Sequence, residues 1–154
     1  MISVREVDLS DGRVARELLA VQVAAYAIEA ELLEYPQLPP LFETVADLRA
    51  SGERFLAAFE GHELVGATSV AVSDDVLDIC RMVVSPAHMR RGIASRLLSS
   101  VEELRDGHAR ITVSTGEANI PAIRLYEKHG FAVVQRRALP DGLKLVGLEK
   151  RFER

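Results

Sequence analysis

A short segment rich in glycine, alanine and arginine stands between a strand-like stretch and the start of a predicted helix. The strand covers residues 77–84, a Ser-Pro pair ends it, and Met-Arg-Arg-Gly-Ile-Ala follows at 89–94. The first turn of a helix presents unpaired backbone N–H groups and a partial positive charge, which together bind phosphates. Gly92 and Ala94 let a ligand approach the backbone. The segment predicts a phosphate site; the alternative is an ordinary helix that begins at a glycine beside solvated arginines.

Other patterns that bind phosphates or metals are missing from the sequence. It contains no G-x-x-x-x-G-K-[ST] and no G-x-G-x-x-G followed by an acidic residue, so a kinase or a dinucleotide enzyme loses its main support. The four histidines have no spacing typical of a metal site, and we expect no metal; they are His62, His88, His108 and His129.

The periodicity of apolar residues predicts the elements that position this segment. Helices are expected at 13–33 and 93–104, where apolar residues recur every three or four positions. A short helix is expected at 44–49, where Thr44 and Asp47 can form a capping box, and another at 121–129, between Pro121 and Gly130. Strands are expected in shorter β-rich stretches, at 2–7, 54–59, 64–72, 77–84, 109–115, 131–139 and 143–152. Prolines at 36, 39 and 40 place a loop after the first helix.

The order of these elements predicts an α/β (α+β) fold. Hairpins and helical crossovers both occur, so we expect a central mixed, mostly antiparallel sheet of seven strands flanked by about four helices. No internal repeat or linker interrupts the chain, and residues 1–154 are expected to form one domain.

Two stretches carry a resemblance to a known family. R-M-V-V-S-P-A-H-M-R-R-G-I-A-S-R-L-L at 81–98 and N-I-P-A-I-R-L-Y-E-K-H-G-F at 119–131 resemble the GNAT superfamily of acyl-CoA N-acyltransferases. The order of elements over the whole chain is also similar. The family's phosphate motif is Gln/Arg-x-x-Gly-x-Gly/Ala; Gly92 and Ala94 match it, whereas Met89 stands at the Gln/Arg position and removes one side-chain contact.

The resemblance implies a binding site for acetyl-CoA as co-substrate. The pantetheine arm is expected to pair like an extra strand with the backbone of the fourth strand, and Asn119 to bond the pantetheine amide. The residues implied to bind the cofactor are Met82, Val83, Val84, Met89, Arg90, Arg91, Gly92, Ile93, Ala94 and Asn119. Without the resemblance, Asn119 would be interpreted as a helix cap.

Tyr126 is implied to be the general acid that protonates the departing coenzyme A thiolate. A phenol with an ordinary pKa of about 10 stays protonated at neutral pH and can give its proton to sulfur. The residue pattern alone would favour a half-buried aromatic beside Leu125.

Asp78 is the candidate base that deprotonates the attacking amine. It lies on the fourth strand, where many members of the family carry a glutamate. Strict alternation would put Asp78, Cys80 and Met82 on one face of the sheet, toward the acyl group. A solvent-facing aspartate at the start of a strand is an equally good interpretation, and Glu117 and Glu34 are weaker candidates.

The composition of the chain limits which partners and which cellular location can be expected. The net charge of −4 argues against a nucleic-acid partner. Cys80 is the single cysteine, so no disulfide can form within the chain, and it is expected to be a wall or core thiol without a covalent role. No segment reaches the roughly 18 apolar residues that span a bilayer. These features predict a cytoplasmic protein without a membrane partner.

The sequence therefore predicts an N-acetyltransferase that moves an acetyl group from acetyl-CoA directly to a primary amine of a small molecule, peptide or protein. The acceptor pocket is expected between the first helix, the proline loop and the last hairpin. An open sheet edge indicates that a homodimer could form. The alternative is a non-catalytic module that binds acyl-CoA as a sensor or scaffold.

Overall fold

The computed structural model describes residues 1–152 and contains seven strands and four α-helices, as predicted. The strands are β1 Ile2–Val7, β2 Arg54–Glu60, β3 Glu63–Ser73, β4 Val76–Val84, β5 Arg110–Gly116, β6 Ala132–Ala138 and β7 Lys144–Arg151. The helices are α1 Gly12–Leu33, α2 Val45–Ala50, α3 Ile93–Glu103 and α4 Ile120–Lys128. Two short 3₁₀ turns, Pro39–Phe42 and Pro86–His88, precede α2 and α3. No helix among the described residues combines the length and apolar character that crossing a bilayer requires.

All seven strands form one mixed sheet in the order β1-β2-β3-β4-β5-β7-β6. The β4–β5 pair is parallel and the other neighbouring pairs are antiparallel. A parallel pair needs a crossover connection, and α3 provides it. The predicted mixed, mostly antiparallel sheet is confirmed.

The two central strands separate along their length. Pairing between β4 and β5 runs from Val76 opposite Arg110 to Ile79 opposite Val113, and then stops. Beyond this point β4 stays paired with β3 as far as Val84, while β5 stays paired with β7 as far as Gly116. A cleft therefore opens between the ends of β4 and β5.

Helices cover both faces of the sheet. On one face, α1 and α2 pack Leu18 and Leu48 against Phe55 and neighbouring residues of β2 and β3. On the other face, α3 and α4 contribute Leu98, Val101 and Tyr126 to the larger cluster, which extends to β7. Because the helices lie above and below the sheet, their ends and side chains can reach the cleft from both sides.

Local sequence signals explain where the helices begin. The Asp11 carboxylate accepts hydrogen bonds from the backbone N–H groups of Arg13 and Val14 at the start of α1, at 3.0 and 3.3 Å. Thr44 and Asp47 form the predicted capping box of α2. A helix start without such a cap is accordingly a distinctive feature, and it occurs at α3.

Candidate functional site

The cleft between β4 and β5 exposes backbone groups that no neighbouring strand satisfies. The backbone N–H of Met82 faces into the cleft, toward the hydroxyl of Tyr26 on α1. Burial raises the pKa of Tyr26 well above its ordinary value, the charge of Glu29 adds to this effect, and the Met82 N–H partly offsets it. The free edge of β4 thus offers a hydrogen-bond donor at the place where the sequence predicts the pantetheine arm, along Met82, Val83 and Val84.

A β-bulge in β4 changes which side chains share a face. Ser69 pairs with Arg81 and Val70 with Ile79, so Cys80 is the additional residue. Met82 consequently packs against the cluster that contains Ile79, on the α3 and α4 face. The expectation that Asp78, Cys80 and Met82 share one face is therefore wrong, because it assumed unbroken alternation.

Asp78 lies in the closed part of the sheet, before the cleft. It is exposed, and its carboxylate accepts a hydrogen bond of 2.6 Å from the Thr112 hydroxyl. Cys80 lies nearby; loss of hydration, with the charges of Glu53 and Asp78, raises its pKa to about 12. Cys80 is exposed, so it is not a core thiol, and the expectation that it has no covalent role stays a prediction.

Tyr126 of α4 is only 3% exposed, so it is a core residue and not half-buried. Its ring lies 5.6 Å from that of Phe131, centroid to centroid. Burial raises its pKa well above the ordinary value, and the charges of Tyr26 and Glu29 raise it further. The Tyr126 hydroxyl therefore keeps its proton at neutral pH.

Asn119 joins α1 to α4. Its side-chain oxygen accepts a hydrogen bond of 3.3 Å from the Ala122 N–H, so it caps α4. Its side-chain nitrogen donates to Glu29 at 2.5 Å and to Thr115 at 3.5 Å. The capping role is thus present in the structure, and the predicted contact with pantetheine stays a prediction.

Glu29 is the polar residue of the cleft that sequence reasoning did not select. It is half-buried on α1, and burial raises the pKa of its carboxyl group, while the hydrogen bond from Asn119 acts in the opposite direction. A signal was available: Gln22, Tyr26 and Glu29 continue the stripe of Ala15 and Leu18 at spacings of three and four. Polar side chains on a buried stripe indicate a specific interaction.

The start of α3 retains the features that bind anions. Gly92 is its N-cap, with a φ of +77°, and no side chain caps the helix. Arg90 also has a positive φ, +64°. The N–H groups of Ile93 and Ala94 therefore remain free of intrahelical partners. The structure brings the whole predicted phosphate segment, from the half-exposed Met89 to Ala94, to one end of β4.

Arg91 beside this helix start is already paired, because its guanidinium forms an ion pair with Glu60. His88 lies near the same carboxylate, and Glu60, Glu63 and His88 place potential ligand atoms within 4.8 Å of one another. Arg91 already supplies a positive charge to the Glu60 carboxylate. The expectation that the protein binds no metal stays a prediction.

A buried ion-pair network fixes the proline loop next to the cleft. Arg81, directly before Met82, donates to Glu53 at 2.9 Å, to Gln22 at 3.0 Å and to both carboxylate oxygens of Glu43. Gln22 in turn donates to the backbone oxygen of Pro40 at 3.0 Å. The loop that is expected to form the acceptor pocket is therefore tied to the strand that carries the cleft.

Helix α1, the proline loop and the final hairpin meet as expected. The Tyr35 hydroxyl donates to the Asp141 carboxylate of the β6–β7 turn at 2.5 Å. A cavity of about 440 Å³ lies beside this contact, between α1 and the loop, and its lining includes Ala30 and Leu41.

Comparison with known proteins identifies relatives over most of the chain. Residues 22–131 match the acetyltransferase (GNAT) family. UPF0157 protein YqkA of Bacillus subtilis is 38% identical over 135 residues, 88% of this chain and 39% of that protein, so the chain spans about two fifths of its length. The uncharacterized N-acetyltransferase YedL of Escherichia coli is 32% identical over 119 residues, 73% of this chain and 75% of that protein.

Solved structures share the fold. PaiA N-acetyltransferase of Thermoplasma acidophilum, in complex with coenzyme A, superposes with a TM-score of 0.82 at 17% identity, covering 99% of both chains. YncA of Salmonella typhimurium, a putative acetyltransferase solved with acetyl-CoA, gives a TM-score of 0.73 at 18% identity and covers 99% of this chain and 94% of its own.

Proposed function

Because the chain belongs to the acetyltransferase (GNAT) family, we propose that it is an N-acetyltransferase that moves an acetyl group from acetyl-CoA to a primary amine by direct transfer. The observation that carries this proposal is the cleft between β4 and β5. The proposal uses three groups on or near it: the backbone N–H of Met82, which faces the Tyr26 hydroxyl, the protonated phenol of Tyr126, and the uncapped helix start at Gly92. One extended thioester with a diphosphate at its far end would use all three.

In this proposal the diphosphate of acetyl-CoA binds the first turn of α3. The free N–H groups after Gly92 donate to phosphate oxygens, and the helix dipole favours their charge. The side chain of Arg90 is available to add charge, whereas Arg91 must first leave Glu60. The pantetheine arm then pairs with the free edge of β4 along Met82–Val84, and Asn119 bonds its amide.

The reaction needs a neutral amine and a polarised thioester. In this proposal the backbone N–H of Met82, which faces the Tyr26 hydroxyl in the structure, donates to the thioester oxygen, where negative charge grows as the amine attacks. A C–N bond forms, the C–S bond breaks, and Tyr126 gives its proton to the departing sulfur. Positioning and these two donors supply most of the catalysis. Asp78 is the sequence-based proposal for the proton acceptor, through water.

The proposal also covers the cellular location of the enzyme and its oligomeric state. A cytoplasmic location fits the single cysteine, Cys80, which stays a free thiol. The outer edges of β1 and β6 have no neighbouring strand within the sheet and could support a homodimer.

Release of coenzyme A thiol from acetyl-CoA across a panel of alkyl amines, peptides and aryl amines tests the proposal. Tyr126→Phe is expected to lower kcat by about 100-fold or more, because it removes the acid that protonates sulfur. Calorimetry with acetyl-CoA is the control, since the variant should bind like the wild type.

The alternative function, a non-catalytic module that binds acyl-CoA, predicts a different result in the same assay. If acetyl-CoA binds in the calorimeter and no amine or peptide releases thiol from the wild-type protein, the chain acts as an acyl-CoA sensor or scaffold. A wild-type rate in Tyr126→Phe would contradict the proposed acid alone.

A further inference from the structure

Glu29 is a carboxylate on α1 that the proposed reaction, as derived so far, does not use. We propose that Glu29 receives the ammonium group of the acceptor and takes its proton, so that the enzyme acts on alkyl amines that are charged at neutral pH. This inference rests on the proposed acetyltransferase function and names the proton acceptor and substrate class of the same site.

One hydrogen bond and two electrostatic interactions relate Glu29 to the residues of the proposed site. Its charge acts on both Tyr26 and Tyr126, which the structure brings together from α1 and α4. Tyr26 in turn faces the N–H of Met82, the donor proposed for the thioester oxygen. The bond of 2.5 Å from Asn119 fixes the carboxylate in this position. Glu29 is therefore linked to the proposed acid directly and to the proposed oxyanion donor through Tyr26.

The charge of Glu29 is not balanced within the protein. Glu43, Glu53, Glu60 and Glu149 each pair with an arginine. Glu29 has no ion pair among residues 1–152, and its hydrogen bond comes from the neutral amide of Asn119. A half-buried carboxylate without a cation is costly, and an ammonium group would supply the missing charge. Burial also raises the pKa of the Glu29 carboxyl group, which makes it a better proton acceptor.

Asp78 is less well placed for the first proton transfer. It pairs with Thr112 in the closed part of the sheet, and Met82 lies four positions further along β4. At about 3.3 Å per residue, the two backbones are roughly 13 Å apart. A base must lie within hydrogen-bond reach of the amine or one water away. Asp78 would need a longer chain of waters.

Every proton in the proposed transfer is accounted for. The ammonium loses one proton to Glu29, and the free amine attacks the thioester carbon. The second N–H proton passes to water as the amide forms, and the sulfur takes the proton of Tyr126. Tyr126 regains a proton from solvent and Glu29 releases its own, so each turnover gives one amide, one thiol and one net proton.

The test compares Glu29→Gln, Asp78→Asn and Glu17→Gln in the full chain with acetyl-CoA. Glutamine can still accept the hydrogen bond from Asn119, so the first variant removes the charge and keeps the contact. Glu17 lies on α1 about 18 Å from Glu29, from a rise of 1.5 Å per residue, and is the matched control. Each variant is assayed with an alkyl amine and with an aryl amine that is already neutral at neutral pH.

We expect Glu29→Gln to lower kcat/KM for the alkyl amine by about 100-fold or more at neutral pH, and to change the aryl amine rate by no more than about threefold. The deficit for the alkyl amine should shrink as pH rises and free amine accumulates. The titratable groups facing Glu29 are Tyr26 and Tyr126, with Arg81 and Glu43 next to Tyr26, and both tyrosines have raised pKa values and stay neutral in this range.

An equal loss with both amines would overturn the inference, since Glu29 would then only position Asn119. A loss in Asp78→Asn with wild-type behaviour of Glu29→Gln would also overturn it and assign the base to Asp78. If the wild-type protein acetylates neither amine and no peptide of the panel, the proposed function itself fails, and this inference fails with it.

Discussion

At the scale of the single residue, Arg81 shows how burial and charge together position the site. Its side chain is 9% exposed and contacts the carboxylates of both Glu43 and Glu53. Burial alone would lower the pKa of Arg81, but hydrogen bonds and attraction to these two carboxylates outweigh it and raise the pKa. The guanidinium therefore stays charged and holds the proline loop against β4, one residue before Met82.

Replacing Arg81 by methionine should destabilise the protein by about 3 to 5 kcal/mol, because Glu43 and Glu53 would keep their charges without a partner. The acceptor KM should also rise, since the proline loop loses its link to β4. Urea unfolding measures the first effect and steady-state kinetics the second. Arg16→Met on the exposed side of α1 is the control and should change stability by less than about 0.5 kcal/mol. Equal stability of the two variants would show that the network contributes little.

Sequence reasoning identified part of the site at this scale. Gly92 and Tyr126 belong to local motifs whose spacing is visible in the chain; Gly92 is the N-cap of α3, and Tyr126 is a buried residue of α4. Glu29, Tyr26 and Arg81 belong to no local motif. They meet only because α1 crosses β4, and no spacing within one segment encodes that contact.

At the scale of the element, the start of α3 combines conformation and function. Gly92 has a positive φ of +77°, and a Cβ there would meet no atom within 4 Å. Any effect of a side chain at this position on the stability of the protein thus comes from the backbone conformation and not from a clash with other residues. The same is true of Gly107, which has a φ of +84° and follows α3.

Gly92→Ala should therefore cost about 1 to 2 kcal/mol of stability, as expected for an L-residue held in the left-handed region. It should also weaken coenzyme A binding severalfold, because relief of the strain turns the first N–H groups of α3 away from the diphosphate. Gly107→Ala is the matched control: a similar loss of stability with an unchanged Kd. Calorimetry with coenzyme A measures the Kd, and an unchanged Kd for Gly92→Ala would argue against a diphosphate at this helix start.

The elements themselves were largely predictable. Periodicity placed β4 and α3 within one residue of their observed bounds, because each buries one regular face. The bulge at Cys80 was not predictable, since it depends on how β3 and β4 pair and not on residues 79–81 themselves. This single residue reversed the expected face of Met82.

At the scale of the whole molecule, the cleft results from competition between strands for partners. Strand β7 lies between β5 and β6 and pairs with β5 along its full length. β4 remains with β3, so the twisted sheet divides beyond Ile79 and Val113. Pairings between strands so distant in sequence are set by the assembled sheet, and the order of elements along the chain predicts only that a mixed sheet forms.

A ligand that pairs with β4 and also contacts α4 would connect the two halves of the divided sheet. Coenzyme A at about 100 times its Kd should stabilise the folded state by about 2.7 kcal/mol. For a protein of this size each kcal/mol corresponds to about 2 to 4 °C, so we expect the Tm to rise by roughly 5 to 11 °C. Thermal unfolding followed by circular dichroism, with and without coenzyme A, measures the shift.

The same experiment separates a bridging ligand from one held only at the helix start. 3′-Phosphoadenosine 5′-diphosphate keeps the diphosphate but lacks the pantetheine arm and cannot pair with Met82, so at equal concentration it should raise the Tm much less than coenzyme A. Gly92→Ala should reduce the Tm shift caused by coenzyme A. At a fixed coenzyme A concentration, a higher Kd lowers the ratio of ligand to Kd and therefore the stabilisation. Equal shifts from the two ligands would mean that the cleft does not hold the pantetheine arm, and the strand-like pairing along β4 would then have to be abandoned.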